Sequence, residues 1–296
     1  MKNLPYKYIV LIGVLFTSLS SIFIRMSDAP SLVISAYRML FTVLMLLYPV
    51  VTKEIDSLKN MTKNDFVLCI ISGVFLALHF ASWIASINMT TIANSTILVS
   101  CSPIFVAIAN YFILKEKFSY KMLIGIAMSL IGTTVIALGS SGGNNNGMML
   151  GNILAITGGI FVAGYFVIGG IVRKNVSAGA YVFVVYSVSV VVLFFMCFAS
   201  KTPIYPYSAK EFILFICLAF FCSILGHTLY NYLMKYVSAT LISVSTLCEP
   251  IFASILALII YREIPSIYTL IGGTIILSGV FYYITSQKKG TEKIKD

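Results

Sequence analysis

A tetrapeptide built around proline occurs twice in this chain, and the spacing of the copies constrains the fold more than any other feature. Ser102-Pro103-Ile104-Phe105 recurs as Glu249-Pro250-Ile251-Phe252. Pro103 pairs with Pro250, Glu116 with Glu263, Gly125 with Gly272 and Gly132 with Gly279, each 147 residues further on. Four chemically distinctive positions in one register mark an internal duplication, and a repeat of this length dictates the architecture. Each copy reads as an apolar run broken by Pro, a basic residue followed by Glu (Lys115-Glu116, Arg262-Glu263), and a second apolar run carrying two glycines seven apart. A repeat that is itself hydrophobic points to a membrane protein assembled from two halves.

Composition agrees. The chain is 59% hydrophobic and 10% charged, with a mean hydropathy of +0.98, whereas soluble domains carry about 25% charged residues. The net charge of +10 does not read as a nucleic-acid footprint, because the Lys and Arg residues sit in short connectors and at the C-terminus, where topology signals lie. Cys69, Cys101, Cys197, Cys217, Cys222 and Cys248 all fall inside apolar runs, without CxxC or Cys/His metal spacing, and read as buried thiols. The first apolar run follows Lys2 and Lys7 like a signal peptide, but it is long and lacks a clear cleavage site, so it reads as a retained span.

A helix needs about 20 apolar residues to cross the hydrocarbon core. Ten runs qualify: Tyr8–Met26, Leu32–Val51, Phe66–Asn88, Ala93–Leu114, Tyr120–Leu138, Leu150–Val172, Ala178–Ala199, Glu211–Met234, Thr240–Tyr261 and Ser266–Thr285. Backbone polar groups in lipid must be satisfied internally, and runs this long and uniformly apolar are not barrel strands. The expected fold is all-α, an integral membrane protein of ten transmembrane helices. The uncharged Ser/Gly/Asn stretch from Ser140 to Gly147 reads as a linker. It divides the chain into a first five-helix repeat (1–139), a linker (140–149), a second repeat (150–286) and a basic tail (287–296). With both termini in the cytoplasm, Lys2, Lys7, Lys53, Lys59, Lys63, Lys115, Lys117, Lys121, Arg173, Lys174, Lys235, Lys288, Lys289, Lys293 and Lys295 lie inside. Only Arg25, Lys201, Lys210 and Arg262 lie outside. That asymmetry fixes the expected orientation. Because five is odd, the second repeat enters from the opposite side, and the repeats are inverted.

The two Pro helices, the basic-Glu pairs, the paired-glycine helices and Arg38 within Ala36-Tyr37-Arg38-Met39 after Pro30 together resemble the EamA-like family of the drug/metabolite transporter superfamily, over nearly the whole chain. The resemblance implies a ten-helix inverted-repeat fold around a central cavity, with the third, fourth, eighth and ninth helices as lining elements. It leaves the substrate open among amino acids, nucleosides, cofactors and drugs.

Polar residues at bilayer depth are costly and usually face a cavity or a partner. His79 and Trp83 stand at i, i+4 on one helix face, and His227, Tyr230 and Asn231 at i, i+3, i+4 on another. Trp83 is in the 147-residue register with Tyr230, while His79 falls one residue short of His227. Glu249 lies about ten residues into the ninth span, near the midplane. The candidate substrate-binding set is therefore His79, Trp83, Asn94, His227, Tyr230, Asn231 and Glu249. Arg38, Glu249, Pro103 and Pro250 are candidates for coupling or gating. Each has a structural alternative. Arg38 can snorkel or anchor packing, Trp83 can belong to an interfacial belt, and the histidines and Glu249 can simply hydrogen-bond neighbouring helices. Pro103 and Pro250 kink their helices by removing a backbone hydrogen bond. The glycines permit close helix packing, and the basic-Glu pairs serve as gate or capping ion pairs.

The chain has no phosphate-binding loop and no HExxH, and no Ser/His/Asp constellation is evident, so no catalytic residue, metal ligand or cofactor is expected. The reading is a secondary-active or facilitative transporter of a small metabolite, working by alternating access in the cell membrane. Protons are the candidate coupling ion, and the expected state is a monomer or weak homodimer. A proton-coupled multidrug exporter of the same fold and a non-transporting membrane scaffold are the alternatives.

Overall fold

The structure, a computed structural model, describes residues 6–115, 120, 123–125, 127, 128, 131, 132, 134, 135 and 146–286. Glu116, Lys117, Lys121, linker residues 140–145 and the tail 287–296 lie outside the described residues. Among those described there is no strand. The helices are α1 (Tyr6–Ser18), α2 (Ser20–Met26), α3 (Ser31–Lys53), α4 (Ile55–Lys59), α5 (Lys63–Met89), α6 (Ile92–Val99), α7 (Ser102–Leu114), α8 (Asn146–Val172), α9 (Ala178–Ala199), α10 (Ala209–Cys217), α11 (Leu229–Leu233), α12 (Ala239–Ser245), α13 (Glu249–Tyr261) and α14 (Ile267–Ser286). A π-helical segment, Leu218–Thr228, joins α10 to α11, and a short 3-10 turn, Thr246–Cys248, joins α12 to α13. The described residues between Tyr120 and Val135 are also helical.

Among the described residues, eight segments are long and apolar enough to cross a membrane: Ile9–Met26, Ser31–Lys53, Lys63–Met89, Ile92–Ile113, Gly147–Val172, Ala178–Ala199, Ala209–Leu233 and Ala239–Tyr261. Eight of the ten expected runs coincide with them to within a few residues. The fifth run is described at about half of its positions, and the tenth corresponds to α14. One expectation changes. The linker does not extend to residue 149, because α8 already begins at Asn146. The Pro helices kink as expected, and the regular ladder is interrupted at the kink, because Pro has no N–H to continue it and is accommodated in the first turn of the following helix. The chain obliges by ending α6 at Val99 and restarting at Ser102, with Pro103 in the first turn of α7. It ends α12 at Ser245 and restarts at Glu249, with Pro250 in the first turn of α13.

At one end, Ser177 N–H donates to Ser57 Oγ at 3.2 Å. At the other, Lys210 pairs with Asp28 at 2.9 Å, and Glu211 holds both Ser27 and the Asp28 N–H. Two arginines 148 residues apart make parallel contacts. Arg25 Nη2 donates to the carbonyls of Ile87 (2.5 Å) and Thr90 (2.9 Å), closing the C-terminus of α5. Arg173 Nε donates to Asn231 O at 2.8 Å, at the C-terminal end of α11, and its Nη1 bonds Val176 O. A cation at the open carbonyls of a helix end is favourable.

Glycine admits the backbone contacts that hold the bundle. A Cβ on Gly132 would lie 2.5 Å from the Gly272 carbonyl and 2.6 Å from Ile276 Cγ1, and one on Gly279 would lie 2.6 Å from Met128 Cβ and 3.3 Å from the Gly125 carbonyl. The four repeat glycines thus meet each other across one crossing, as expected for packing rather than binding. Gly132→Ala should lower the unfolding midpoint, because overpacking a tight contact costs about 1–3 kcal/mol. Gly147→Ala, with nothing within 4 Å of its Cβ, should leave the midpoint unchanged or raise it. Thermal unfolding of the detergent-purified variants distinguishes the two.

Candidate functional site

The two helix breaks meet α1, α2, α5, α8 and the π-helical segment around a small cavity of ≈ 40 Å³. The first half contributes Thr17, Ser20, His79, Trp83, Ser100 and Ser102, and the second Phe166, His227, Tyr230, Thr246 and Glu249. A water molecule takes about 30 Å³ in the liquid, so the cavity as it stands is a narrow slot. Ser102 and Glu249 occupy the same register position, 147 residues apart. One half therefore presents a hydroxyl and the other a carboxyl at the start of a restarted helix.

Glu249 is held by hydroxyls. Its Oε1 accepts from Thr17 Oγ1 at 2.6 Å and from Tyr230 OH at 3.1 Å, and those two hydroxyls are 2.9 Å apart. Glycine makes this approach physically possible. A Cβ on Gly13 would meet Tyr230 Cε1 at 2.6 Å, and one on Gly226 would meet Thr17 Cγ2 at 2.5 Å. The aromatic wall is continuous. His79 stacks on Trp83, with centroids 5.8 Å apart and planes 8° from parallel, and its ring lies 6.4 Å from His227. His227 in turn lies 5.8 Å from Tyr230. His79 Nδ1 is 2.9 Å from Gly158 O, which assigns the proton to Nδ1 and leaves Nε2 as an acceptor. Trp83 Nε1 and His227 Nδ1 are buried without partners.

Five of the seven expected binding residues, His79, Trp83, His227, Tyr230 and Glu249, converge on this cavity. Asn94 and Asn231 turn elsewhere. Asn94 Oδ1 accepts from Thr269 on α14 at 2.9 Å. Asn231 donates to Tyr165 OH and to His227 O, the latter at 2.7 Å. Arg38 is fully buried rather than snorkelling, bonded through Nε to Ser223 Oγ at 2.9 Å. Pro103 and Pro250 sit at the two breaks. Of the basic-Glu pairs, Lys115 and Arg262 end their helices in the left-handed conformation, at φ 54° and 55°. Glu263 makes no ion pair among the described residues. Its Oε1 accepts the Ile92 N–H at 2.9 Å, so a carboxylate caps the start of α6, where the helix dipole favours it. A wider vestibule of ≈ 620 Å³, lined by Arg25, Asn88, Thr90, Thr91, Tyr261 and Glu263 among others, opens beside this cap. Cys217 and Cys248 are half-buried rather than fully buried.

Sequence reading did not single out Thr17, Ser20, Ser100, Ser102, Thr246, Gly13 or Gly226. Small hydroxyl residues are common in apolar helices, where they bond their own backbone four residues back. Only the register signal, Ser102 against Glu249, was available for one of them.

An all-helical, multi-pass membrane protein with a polar cavity between two similar halves is the class this geometry defines. The EamA-like transporter family model matches the chain twice, over residues 6–138 and 149–285, and the chain belongs to that family. An uncharacterized transporter of Archaeoglobus fulgidus is 25% identical over 74% of this chain and 74% of its own length. The uncharacterized transporter YetK of Bacillus subtilis is 27% identical over 77% and 71% respectively. An S-adenosylmethionine uptake transporter of Rickettsia bellii is 26% identical over 88% and 86%. A solved crystal structure superposes with a TM-score of 0.69 over 94% of this chain and 95% of that one, at 15% identity, and shares the fold.

Thr17→Val keeps the side chain's volume but removes its hydrogen bond to Glu249. Bonds to charged groups contribute about 1.5–3 kcal/mol. The variant should unfold at a lower temperature than wild type, and Thr17→Ser should restore most of the loss in the same thermal assay.

Proposed function

We propose that this chain is a secondary-active or facilitative transporter that carries a small metabolite across the cell membrane by alternating access. Its binding site is the cavity lined by Thr17, His79, Trp83, His227, Tyr230 and Glu249. The observation that carries this reading is a single carboxyl set into an aromatic wall where two broken helices from the two halves meet. Irregular backbone at membrane depth is tolerated where it lines a cavity, and transporters of this kind build their sites from discontinuous helices. The substrate is amino-acid-like, nucleoside-like or cofactor-like and carries a cationic group. Glu249 neutralises that group, and the flat faces of Trp83 and Tyr230 attract it through their ring quadrupoles. S-adenosylmethionine, for which the Rickettsia bellii relative is named, is one such cation.

The halves are inverted repeats of a ten-helix fold with both termini in the cytoplasm. The antiparallel meeting of the repeat glycines and the Lys/Arg asymmetry of the sequence support this arrangement. Alternating access consists of opening the bundle at one end while the cap made by Glu263 on α6 keeps the other end closed. The multidrug-exporter reading is less well supported, because the cavity is small and rich in unpartnered hydrogen-bonding atoms, which favours a specific polar ligand.

Purified protein in liposomes should accumulate or exchange at least one member of a panel of cationic amino acids, nucleosides and adenosyl cofactors. Glu249→Gln should cut that uptake about tenfold or more, since a charge-assisted contact contributes about 1.5–3 kcal/mol and tenfold corresponds to about 1.4 kcal/mol. If uptake is driven by a pH gradient and Glu249 carries the proton, the same variant should lose the pH dependence. A panel that yields no transport in wild type, or full uptake in Glu249→Gln, overturns this assignment.

A further inference from the structure

The vestibule beside the α6 cap holds two opposite charges that the transport reading uses only as helix clamps. Arg25, near the end of α2, and Glu263, just past α13, both line this space of ≈ 620 Å³. Each grips the connection between α5 and α6. Arg25 Nη2 donates to Ile87 O at 2.5 Å and to Thr90 O at 2.9 Å. Glu263 Oε1 accepts the Ile92 N–H at 2.9 Å. Thr91 alone separates the Thr90 carbonyl from the Ile92 N–H, so the guanidinium and the carboxylate stand within about 10 Å of each other. They do not pair, because the ion pairs among the described residues are those of Lys210. Each also keeps an unused atom. Arg25 Nη1 and Glu263 Oε2 make no hydrogen bond among the described residues, and neither is fully buried. The scaffold that carries them is tied together. Tyr261 OH, at the end of α13, donates to Ile22 O on α2 at 3.1 Å. Thr90 Oγ1 donates to Asn152 Oδ1 on α8 at 3.0 Å, which fixes the connection that both charges hold.

Two opposite charges that face one concave space without touching are complementary to a small molecule that carries both. A cation alone would meet Glu263 and be repelled by Arg25, and an anion alone would meet the reverse. We infer that the vestibule is a binding site for a small zwitterion of the α-amino-acid class, with its carboxylate on Arg25 Nη1 and its ammonium on Glu263 Oε2. Both contacts are charge-assisted hydrogen bonds, the stronger kind. Met89 and Met148 line the same space, and their flexible thioether side chains adapt to apolar groups of differing shape. The site therefore reads the two charges strictly and the side chain loosely. It shares no lining residue with the Glu249 cavity, and its existence does not depend on what that cavity carries.

The test uses detergent-purified full-length protein and three probes that share one side chain. L-Methionine carries both charges, L-methionine amide only the cation, and N-acetyl-L-methionine only the anion. L-Methionine should raise the unfolding midpoint along a saturable curve, as a ligand specific to the folded state does. Each singly charged probe should need a roughly tenfold higher concentration for the same shift, since one charge-assisted bond is lost. The Glu249→Gln protein should keep the L-methionine response, which separates the vestibule from the central cavity. Glu263→Gln retains a side-chain carbonyl for the Ile92 N–H, yet should weaken the apparent affinity about tenfold, and Arg25→Gln should do the same. No response to L-methionine in wild type, or equal responses to all three probes, overturns the proposal without recourse to any variant. A response lost in Glu249→Gln, or undiminished in a monodisperse Glu263→Gln protein, overturns it equally. A liposome panel that shows no transport counts against the transport reading and not against this site, so the two fail separately.

Discussion

The architecture depends on the absence of water in the hydrocarbon layer. Every backbone N–H and C=O there must find a partner within the protein, so a helix may be interrupted only where other protein groups take up the freed bonds. Pro103 and Pro250 force two such interruptions, 147 residues apart. The chain meets the requirement by restarting a helix at each and burying the gap between the halves. Ser100 N–H, for example, is returned to Leu98 and Thr96 carbonyls. The cavity follows from this constraint, because the interruptions expose small polar side chains and helix starts to each other rather than to lipid.

Close approach is the second requirement. In lipid, helices are not driven together by hydrophobic exclusion, so packing and polar contacts decide which faces meet. Gly13 and Gly226 allow α1 to approach the π-helical segment closely enough for Thr17 and Tyr230 to share one oxygen of Glu249. Gly73 does the same between α5 and α9, where a Cβ would fall 2.6 Å from Val188 Cβ. A π-helical stretch ending beside His227 fits the general placement of such distortions at functional sites. The outer termini are held differently, by Arg25 and Arg173 on helix-end carbonyls and by Glu263 on a helix-start N–H. These are electrostatic contacts that can break without disturbing the packed interior.

Much of this was legible in the residues. Apolar runs of about 20 residues located the spans, since length alone decides whether a helix crosses the bilayer. The polar residues on the third, eighth and ninth spans located five cavity residues, because polar groups are too costly at that depth to be scattered without partners. Direction was not legible. Asn94 and Asn231 carry the same signal as His79 and Tyr230, yet Asn94 bonds Thr269 and Asn231 bonds Tyr165 and the backbone. Sequence reports that a polar side chain must be satisfied, not by which neighbour. Thr17 and Ser20 gave no signal, since a hydroxyl can satisfy itself on its own helix. The shift from 147 to 148 residues hid the Arg25 and Arg173 pair, because a register that slips by one between helices defeats a search at fixed spacing.

The cavity's near-symmetry is broken at one position. Ser102 stands in the first half where Glu249 stands in the second, and no second carboxyl among the described residues lines the cavity. A pair of acids related by the repeat would let two charges be loaded or released in each cycle. With only one, a cycle of the proposed kind that routed its coupling through this residue would exchange a single unit of charge. The steepest concentration gradient such a cycle could sustain would be set by one ion's electrochemical potential and not by a multiple of it.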